Sequence, residues 1–483
     1  MLYLRNIIAA VLAIVAGTAY ASDYGAYYDD LPFNAPAVSA PSIPDLTVRL
    51  ADFGGVADGI TLNTEAIERA IAHLSAQGGG HLVLDEGVWL SGPITMKSNI
   101  DLHVTHNAIL LFTTDKSRYA ILDPDEGTAT SMRQPPIYAH HISNFSITGS
   151  GVIDGNGEAW RPVKRFKVSD AEWKKMQRLG LTEYTEGTAT VYYPTMGNPT
   201  DKIETKRARL IRIVCCENFM VKDVVIQNSP SFHLNVVLSS RFVIDGVMVR
   251  CPWNAQNGDG IDLSSCTDAL IVNTSVDAGD DALCLKSGIG DAGRRRGPCE
   301  NIVIDNCTVF HGHGGFVIGS DNAGGMRNIM VRRCRFIDTD TGLRFKSGRD
   351  RGGLMCGVFV RDVVMCDIAG EAILFDSYYE EKVGDGENVK PEPVTADTPV
   401  FRGFFISGLV CRDAGRAVVM KGLPEMHIAD VSITDCTFVA RQGMVINNAD
   451  DIELKNVRLQ LAEGPVLKEH NASVKQINVS EIR

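Results

Sequence analysis

The amino-acid sequence predicts an all-β fold, a solenoid in which short parallel strands stack coil upon coil. One observation is a phrase that recurs from about residue 140 to the C-terminus: an apolar-alternating run, a polar pair and a turn. Its period of roughly 20 to 30 residues is typical of repeat architectures. A second observation is that no amphipathic helix of useful length separates the runs, and the Leu/Asn pattern of leucine-rich repeats is absent. The repeats therefore favour a parallel β-helix.

One short helix is predicted ahead of the repeats, where it would cap the first coil and cover its open edge. Asn63 or Thr64 can cap its N-terminus, and the sequence QGGG ends it. Its apolar face comprises Ile67, Ala70, Ile71 and Leu74. Two insertions interrupt the later repeat, at 158–206 and 287–299, and loops of this length in a solenoid emerge on one face, often the binding face.

Length, composition and charge restrict the function classes. The 483 residues are enough for two or three compact domains or for one elongated repeat domain. The composition is globular, with 45% apolar and 22% charged residues. A net charge of −12 argues against a nucleic-acid partner.

The N-terminus has the pattern of a secretory signal peptide. Arg5 supplies a positive charge ahead of an apolar run, Ile7 to Val15, that is too short to span a bilayer. The small-x-small sequence Ala19-Tyr20-Ala21 then offers a cleavage site. We therefore expect an exported protein, periplasmic or secreted, with no membrane span in its mature form. The predicted organisation is a signal peptide at 1–21, a linker or extended arm at 22–45 and a catalytic β-helix at 46–483.

Twelve cysteines raise the question of disulfides, which exported proteins often contain. Cys307, Cys334 and Cys436 each occupy the same place in a repeat phrase, as in NIVIDNCTV. A residue that recurs at one repeat position is expected to be a stacked interior side chain, so we predict no bridge for these three. No Cys/His cluster with zinc spacing appears in the sequence, and no metal or other cofactor is predicted.

Hydrophobic alternation aligns four consecutive coils and, with them, their polar residues. The inward-facing pairs are Ile261 with Leu263, Leu283 with Leu285, Phe316 with Ile318, and Leu343 with Phe345. Adjacent coils of a parallel sheet lie about 4.8 Å apart. The alignment therefore brings Asp259, Asp280, Asp281 and His313 into one small patch.

This patch has the composition of a glycosidase site. Three clustered carboxylates cannot all ionise cheaply, so one should keep a raised pKa and act as general acid while the others activate water. Arg344 and Lys346, one or two coils along the same face, offer cations to a sugar carboxylate. Lys286 shares the column of Lys346 and adds a further cation to the groove. A lone Asp at a turn usually satisfies backbone N–H groups, but so many groups in register favour a catalytic function.

At these residues the sequence resembles glycoside hydrolase family 28, the polygalacturonase family. That family carries four motifs in order, NTD, G/QDD, GHG and RIK. This chain has NGD at 257–259, GDD at 279–281, GHG at 312–314 and RFK at 344–346, and the resemblance covers about 50–483. It implies a right-handed, single-stranded parallel β-helix and inverting hydrolysis of α-galacturonosidic bonds in pectin, with no cofactor.

The resemblance also implies catalytic roles. Asp280 would be the general acid, Asp259 and Asp281 would hold and deprotonate the attacking water, and His313 would tune the acid or relay protons to it. Stacking in register places the acid and the water-holding carboxylates near the short spacing that usually accompanies retention of configuration. The family resemblance nevertheless implies inversion.

The substrate-binding roles follow from the same resemblance. Arg344 and Lys346 would bind the uronate carboxylate. The tyrosine that lines the sugar site in this family would be Tyr379, or else its neighbour Tyr378. Lys286 is a further candidate for substrate binding.

Three positions depart from the family motifs: Gly258, Ala282 and Phe345. None of them removes a charged group, so we expect hydrolysis. Gly258 and Phe345 are expected in or beside the sugar site, which leaves the linkage preference open. The Gly258 change suggests an alternative, a galacturonidase that acts on rhamnogalacturonan.

Two further classes stay open. One is a calcium-dependent β-helix pectate lyase, against which the GHG and RFK motifs argue; the other is a non-catalytic, adhesin-like solenoid. Within the preferred class we expect exo action, because the insertions at 158–206 and 287–299 could wall off one end of an open groove. The expected partner is galacturonate-containing pectin, bound by a monomer.

Overall fold

The computed structural model describes residues 24–179, 182–186, 189–194, 207–379, 381, 383–387 and 389–482. The signal peptide predicted at 1–21 and parts of the insertion predicted at 158–206 lie outside these ranges. Among the described residues, no helix has both the length and the apolar character that crossing a membrane would require.

One sheet of 34 parallel strands forms a β-helix, which confirms the predicted fold class. The strands fall into three stacks. The first stack contains Thr47–Arg49, Gly80–Leu84, Ile100–Val104, Ser143–Gly149, Glu217–Lys222, Ser240–Asp245, Thr267–Val272, Cys299–Asp305, Met326–Arg332, Leu354–Met355, Val358–Arg361, Val400–Ser407 and Ile428–Thr434. The second contains Gly87–Ser91, Ala108–Phe112, Val152–Asp154, Val225–Gln227, Met248–Arg250, Ser275–Asp277, Thr308–His311, Arg335–Ile337 and Thr437–Ala440.

The third stack, which we call the site sheet, carries the candidate catalytic residues. It contains Ile94–Thr95, Ile137–His140, Ile211–Val214, Leu234–Val237, Ile261–Ser264, Asp281–Lys286, Gly314–Ile318 and Leu343–Lys346. Towards the C-terminus, four long strands run from one stack into another: Val364–Asp376, Val410–Lys421, Gln442–Leu461 and Leu467–Glu481.

The remaining elements decorate the β-helix. Within the described ranges, the α-helices are Thr64–Ala76, Asp170–Arg178 and Gly290–Arg296, and the short 3-10 turns are Gly25–Tyr28, Leu50–Phe53, Lys116–Arg118, Gly157–Ala159 and Arg165–Lys167. A small antiparallel sheet comprises Val163–Lys164, Thr182–Glu186 and Ala189–Tyr193, and a two-stranded one comprises Ile121–Leu122 and Met132–Arg133. The capping helix buries the predicted face, Ile67, Ala70, Ile71 and Leu74, together with Ala66.

Alternation along the strands fills the interior with stacked apolar side chains. Phe219 lies between two phenylalanine rings, with centroids 5.0 Å from Phe145 and 4.6 Å from Phe242, and both pairs are stacked nearly parallel. Cys307, Cys334 and Cys436 are buried, and none of the twelve cysteines forms a disulfide. The prediction of interior cysteines is therefore confirmed.

Polar residues at the corners form ladders of their own. Asn301 and Asn328 adopt positive φ, as the turn requires, and Asn tolerates that conformation better than most residues. Their amides link successive coils: Asn301 donates to Asp268 at 2.8 Å, and Asn328 donates to Asn301 at 2.9 Å. These ladders explain why an Asn recurs at the start of successive repeat phrases, as in NIVID and NIMVR.

Residues 24–45, within the segment predicted as a linker or arm, lie against the outer face of the first stack. The Tyr24 hydroxyl donates to Asp245 Oδ2 at 2.9 Å, and Arg332 donates to the Tyr27 carbonyl at 3.0 Å. Phe33 packs against Phe359 with ring centroids 5.8 Å apart. These contacts cover apolar side chains that would otherwise face water.

The phenylalanine stack gives a prediction about stability. Phe219→Ala removes a fully buried ring between two stacked neighbours and should lower the free energy of unfolding by about 3–5 kcal/mol. Phe310 is 45% exposed, so Phe310→Ala is a matched control that should change it by less than about 1 kcal/mol. Urea unfolding followed by circular dichroism measures both. Equal losses in the two variants would contradict the stacked interior.

Candidate active site

The register of the site sheet confirms the alignment made from hydrophobic alternation. Asp262, Cys284, Val317 and Arg344 lie in one column of neighbouring strands, and Asp281 is paired with Gly314. The inward pairs also match, since Ile261, Leu283, Phe316 and Leu343 form a single column. The polar residues that alternate with them therefore occupy the opposite face of the sheet.

Three carboxylates meet on this face. Oxygens of Asp259, Asp280 and Asp281 all lie within 4.8 Å of one another. Asp280 belongs to the turn and Asp281 begins the strand Asp281–Lys286, so adjacent residues point into different columns. The backbone fixes them there: His313 N–H donates to the Asp280 carbonyl at 2.8 Å, and Gly260 N–H donates to the Asp281 carbonyl at 2.9 Å.

Asp281 is held by two cations from the strand Leu343–Lys346. Lys346 Nζ lies 2.7 Å from Asp281 Oδ2, and Arg344 lies 3.2 Å from Oδ1. Burial would raise the pKa of Asp281, but Lys346, then Lys286 and Arg344, outweigh it and lower that pKa. Asp281 is therefore ionised at neutral pH.

Asp280 faces His313 instead. The distance between His313 Nδ1 and Asp280 Oδ1 is 3.2 Å. Burial opposes ionisation of Asp280, but the hydrogen bond and charge of His313, with help from Lys346, lower its pKa overall. In the substrate-free protein, Asp280 is thus the ionised partner of His313.

Of the three carboxyls, Asp259 is the one whose pKa is raised. It is fully buried and its Oδ1 has no hydrogen-bond partner among the described residues. Burial, followed by the charges of Asp262 and Asp280, raises the pKa of Asp259 well above its ordinary value. The raised pKa predicted for one of the three carboxylates is thus found at Asp259, whereas the resemblance names Asp280 as the acid.

A fourth carboxylate, Asp262, is the main feature that the sequence interpretation passed over. Asp262 is completely buried beside the cluster, and burial raises its pKa. Lys286 Nζ lies 2.8 Å from Asp262 and 3.7 Å from Asp259. The Lys286 ammonium therefore pairs with these two carboxylates and lies inside the cluster. Asp262 lies between the inward-facing Ile261 and Leu263, so alternation places it on the outer face, but alternation alone does not reveal which loops cover a side chain.

A cavity of about 580 Å³ opens beside His313. Its wall includes Trp253 and Asp340, together with Phe166 and Lys167 from the insertion predicted at 158–206. Burial lowers the pKa of Lys167, while the negative charge of Asp280 acts in the opposite direction. No sequence pattern pointed to Lys167 or Trp253, because their contact with the site depends on the path of a loop.

The surroundings of Tyr378 and Tyr379 show which of the two is better placed to line a sugar site. Tyr379 has its ring 5.3 Å from Lys346 Nζ and 5.7 Å from the Arg351 guanidinium carbon, at the edge of the cluster. Tyr378 is buried and packs against Arg349. Tyr379 is therefore the better placed of the two to line a sugar site.

The structure contradicts the sequence expectation for Phe345 and gives a packing reason for Gly258. Phe345 points into the core, where its ring packs against Phe375 and Phe404 at 4.7 and 4.9 Å, so it does not lie beside a sugar. Gly258 is buried, and a Cβ there would lie 2.6 Å from Cys251 Sγ. Close packing against Cys251 therefore explains the glycine without reference to the substrate.

Three carboxylates at this spacing could in principle also bind a divalent cation. Here Lys286, Arg344 and Lys346 already face them and supply the positive charge. The arrangement fits acid–base chemistry on a uronic acid without further ligands.

Comparisons with known proteins agree with this chemistry. The sequence profile of glycosyl hydrolases family 28 matches residues 165–398. The crystal structure of a hyperthermoactive exopolygalacturonase from Thermotoga maritima superposes with a TM-score of 0.70 at 30% identity, over 90% of this chain and 94% of that one. The chain belongs to glycosyl hydrolase family 28.

Other relatives of this family 28 protein are more distant. An exo-poly-alpha-D-galacturonosidase from Dickeya chrysanthemi is 26% identical over 78% of this chain and 65% of its own length. An endo-polygalacturonase from Pectobacterium carotovorum subsp. carotovorum is 27% identical over 80% of this chain and 87% of its own. The family thus includes exo- and endo-acting relatives at similar distance.

Asp259 and Asp281 should affect stability with opposite signs. Because the folded-state pKa of Asp259 is raised, rising pH destabilises the fold once it exceeds the pKa of the unfolded carboxyl, about 4. Asp259→Asn removes this effect and should raise the unfolding temperature at pH 7 but not at pH 4.

The folded-state pKa of Asp281 is lowered, so the stabilising contribution of its carboxylate is present at pH 7 and is lost only below about pH 4. Asp281→Asn leaves two cations unpaired and should cost about 3 kcal/mol at pH 7.

Thermal unfolding of the wild type and both variants at pH 4 and pH 7 measures these effects. The wild type at each pH is the control for ordinary acid destabilisation. Equal destabilisation by the two substitutions at pH 7 would contradict the assignment of the proton to Asp259.

Proposed function

We propose that this family 28 protein is an exo-acting, inverting polygalacturonase that hydrolyses α-galacturonosidic bonds of pectin. The observation that carries the proposal is the grouping of Asp280 and His313 opposite Asp259 and Asp281, with the cations of the next coil alongside. A proton donor, a water-binding pair and an anion-binding pair are the parts that hydrolysis of a uronide requires. The exo-acting relatives from Thermotoga maritima and Dickeya chrysanthemi support the same substrate class.

The acid step belongs to Asp280 and His313. Asp280 donates a proton to the glycosidic oxygen as the bond from that oxygen to the anomeric carbon breaks. Because Asp280 is ionised in the free protein, it must first receive that proton. His313 Nδ1, at 3.2 Å, is the group placed to supply it, which is the relay role that the resemblance implies.

The water step belongs to Asp259 and Asp281. Protonated Asp259 and ionised Asp281 both face the space between the carboxylates, so one can donate to a water molecule and the other can accept from it. Asp281 takes the proton as the water oxygen bonds to the anomeric carbon. Lys286 positions Asp259 through the charge network that it forms with Asp262.

Substrate recognition uses Arg344, Lys346 and Tyr379. The uronate carboxylate binds the two cations, which face the cluster from the strand Leu343–Lys346. Tyr379 lies against Lys346 and offers an aromatic face to the sugar.

Exo action is supported by the cavity beside His313. Phe166 and Lys167 come from an insertion and narrow the groove on that side. A polymer that ends in this cavity could present only its terminal bond to Asp280. Rhamnogalacturonan is the alternative substrate, but the Gly258 change that suggested it is explained by close packing against Cys251.

We further propose that the protein acts as an exported monomer, periplasmic or secreted, on galacturonate-containing pectin. The pattern of a signal peptide at 1–21 supports export. The substrate is a plant polysaccharide that meets the enzyme outside the cytoplasm.

Asp280→Asn should reduce kcat on polygalacturonate by about 100- to 10,000-fold, because the amide cannot deliver a proton to the leaving oxygen. KM and the circular dichroism spectrum should stay close to those of the wild type. Asp450→Asn is the matched control, since Asp450 also faces a histidine, His427 at 2.9 Å, and is 54% exposed. Similar losses in both variants would rule out Asp280 as the specific acid.

Stereochemistry tests the inverting mechanism. Proton NMR of early hydrolysis should show the β anomer of galacturonate before mutarotation. The close approach of the carboxylate oxygens, within 4.8 Å, is shorter than inverting enzymes usually have, so the outcome is informative. An α anomer formed first would contradict the inverting mechanism and indicate a carboxylate nucleophile.

The early reaction products distinguish exo action from endo action. Digestion of polygalacturonate should release monomer while the polymer stays long, and rhamnogalacturonan should be cleaved more slowly. A ladder of oligomers would contradict exo action, and faster cleavage of rhamnogalacturonan would favour the alternative substrate. A product that absorbs in the ultraviolet, lost on chelation of calcium, would indicate a lyase.

A further inference from the structure

A second cluster of ligand side chains lies away from the carboxylates of the active site. Glu126 accepts hydrogen bonds from two imidazoles at once: its Oε1 is 2.7 Å from His141 Nε2, and its Oε2 is 2.9 Å from His140 Nε2. Cys215 completes the group, because its sulfur, a Glu126 oxygen and a His141 nitrogen all lie within 4.8 Å of one another. The four side chains are partly or fully open to solvent.

The β-helix itself brings the ligands together. His140 pairs with Val214 across adjacent strands of the site sheet, so the following residues, His141 and Cys215, occupy the same corner one coil apart. Both adopt left-handed backbone conformations, with φ of 52° and 53°, which turn their side chains outward in parallel. An imidazole and a thiol are therefore stacked at about the spacing of one coil.

The carboxylate is positioned independently by a buried ion pair. Glu126 lies in the loop 113–136, and its neighbour Asp125 receives two hydrogen bonds from Arg212 at 3.0 and 2.7 Å. Both side chains of that pair are almost fully buried. The His140 ring is held in turn by stacking on Tyr138, with centroids 5.4 Å apart. The ligands are therefore close to one another before any ion arrives, which limits the ordering that binding would require.

We propose that Glu126, His141 and Cys215, with His140 as the fourth ligand, form a binding site for Zn²⁺. Nitrogen, sulfur and one carboxylate oxygen are the donors that Zn²⁺ prefers, whereas Ca²⁺ and Mg²⁺ prefer oxygen alone. Tetrahedral Zn²⁺ holds such ligand atoms about 3.3 to 3.7 Å apart. The two imidazoles would rotate away from their contacts with Glu126 and the thiol would move inward, which are small rotations of solvent-facing side chains.

The ion would tie the loop 113–136 to two successive coils. That loop reaches the site sheet through Asp125 and Arg212, and Arg212 shares a column with Asn235 and Asp262. At about 4.8 Å per coil, Arg212 lies about 10 Å from Asp262 along the sheet. The metal would therefore fasten the segment 113–136 to the site sheet near the active site without touching the catalytic residues.

Metal titration of the full chain tests the proposal. After removal of metal with EDTA, Zn²⁺ is titrated in competition with a chromophoric chelator. We expect one tightly bound ion per chain and a rise in the unfolding temperature. His141→Ala should weaken binding at least about tenfold, which is the lower end of the loss caused by removing even an outer-shell partner.

A spectroscopic probe identifies the thiol. Co²⁺ in place of Zn²⁺ should give a thiolate-to-metal charge-transfer band, and Cys215→Ser should abolish it while the other cysteines remain. His427→Ala is the matched control, because His427 also pairs with a surface carboxylate, Asp450 at 2.9 Å, and should not alter binding.

Binding that is absent, or that His141→Ala and Cys215→Ser leave unchanged, would overturn the proposal and leave the cluster as a hydrogen-bonded corner. Hydrolysis by His141→Ala should equal that of the wild type at temperatures where both are folded. Failure of the zinc site is thus separate from failure of the proposed hydrolase activity.

Discussion

Parallel pairing in register between successive coils is the constraint on which the rest of this structure depends. Each side chain has an equivalent about 4.8 Å away in the coils before and after it. Inside, that repetition favours stacks of like residues, such as Phe145, Phe219 and Phe242. On the opposite face, the same repetition brings charged groups into contact, so any carboxylate placed there must be balanced by a cation or keep a proton.

The active site uses both solutions. Asp281 is balanced by cations and is ionised, whereas Asp259 and Asp262 share one lysine and are disfavoured as anions by burial. A cluster arranged for stability alone would not bury carboxylates with raised pKa values, since each lowers stability at neutral pH. This loss of stability is concentrated where the proposed chemistry needs a proton donor and a base close together. Stability and function therefore make opposite demands on Asp259.

The sequence predicted the fold and the membership of the site because both follow from periodicity. Alternation fixes which residues face inward, and the repeat fixes which coils are neighbours, so Asp280, Asp281 and His313 could be placed together without a structure. Alternation says nothing about what covers the outer face. Loops determine the burial of Asp262, the approach of Lys167 to the site and the packing of Gly258 against Cys251. Loops therefore also influence which carboxyl of the cluster has a raised pKa. The sequence did not reveal the cluster of Glu126, His141 and Cys215 for a related reason. Its members come from distant segments of the chain, and their spacing matches no known metal-binding motif.

The two cations on Asp281 connect substrate recognition with catalysis in the proposed mechanism. Lys346 and Arg344 lower the pKa of Asp281 in the free protein, which makes it a poor base. A uronate carboxylate that binds the same cations shares their charge and adds a negative charge nearby, and both effects raise the pKa of Asp281. The bound substrate thereby strengthens the base that will accept the proton of water. A neutral hexose leaves Asp281 fully paired, so discrimination between uronides and neutral glycosides acts on the chemical step as well as on binding.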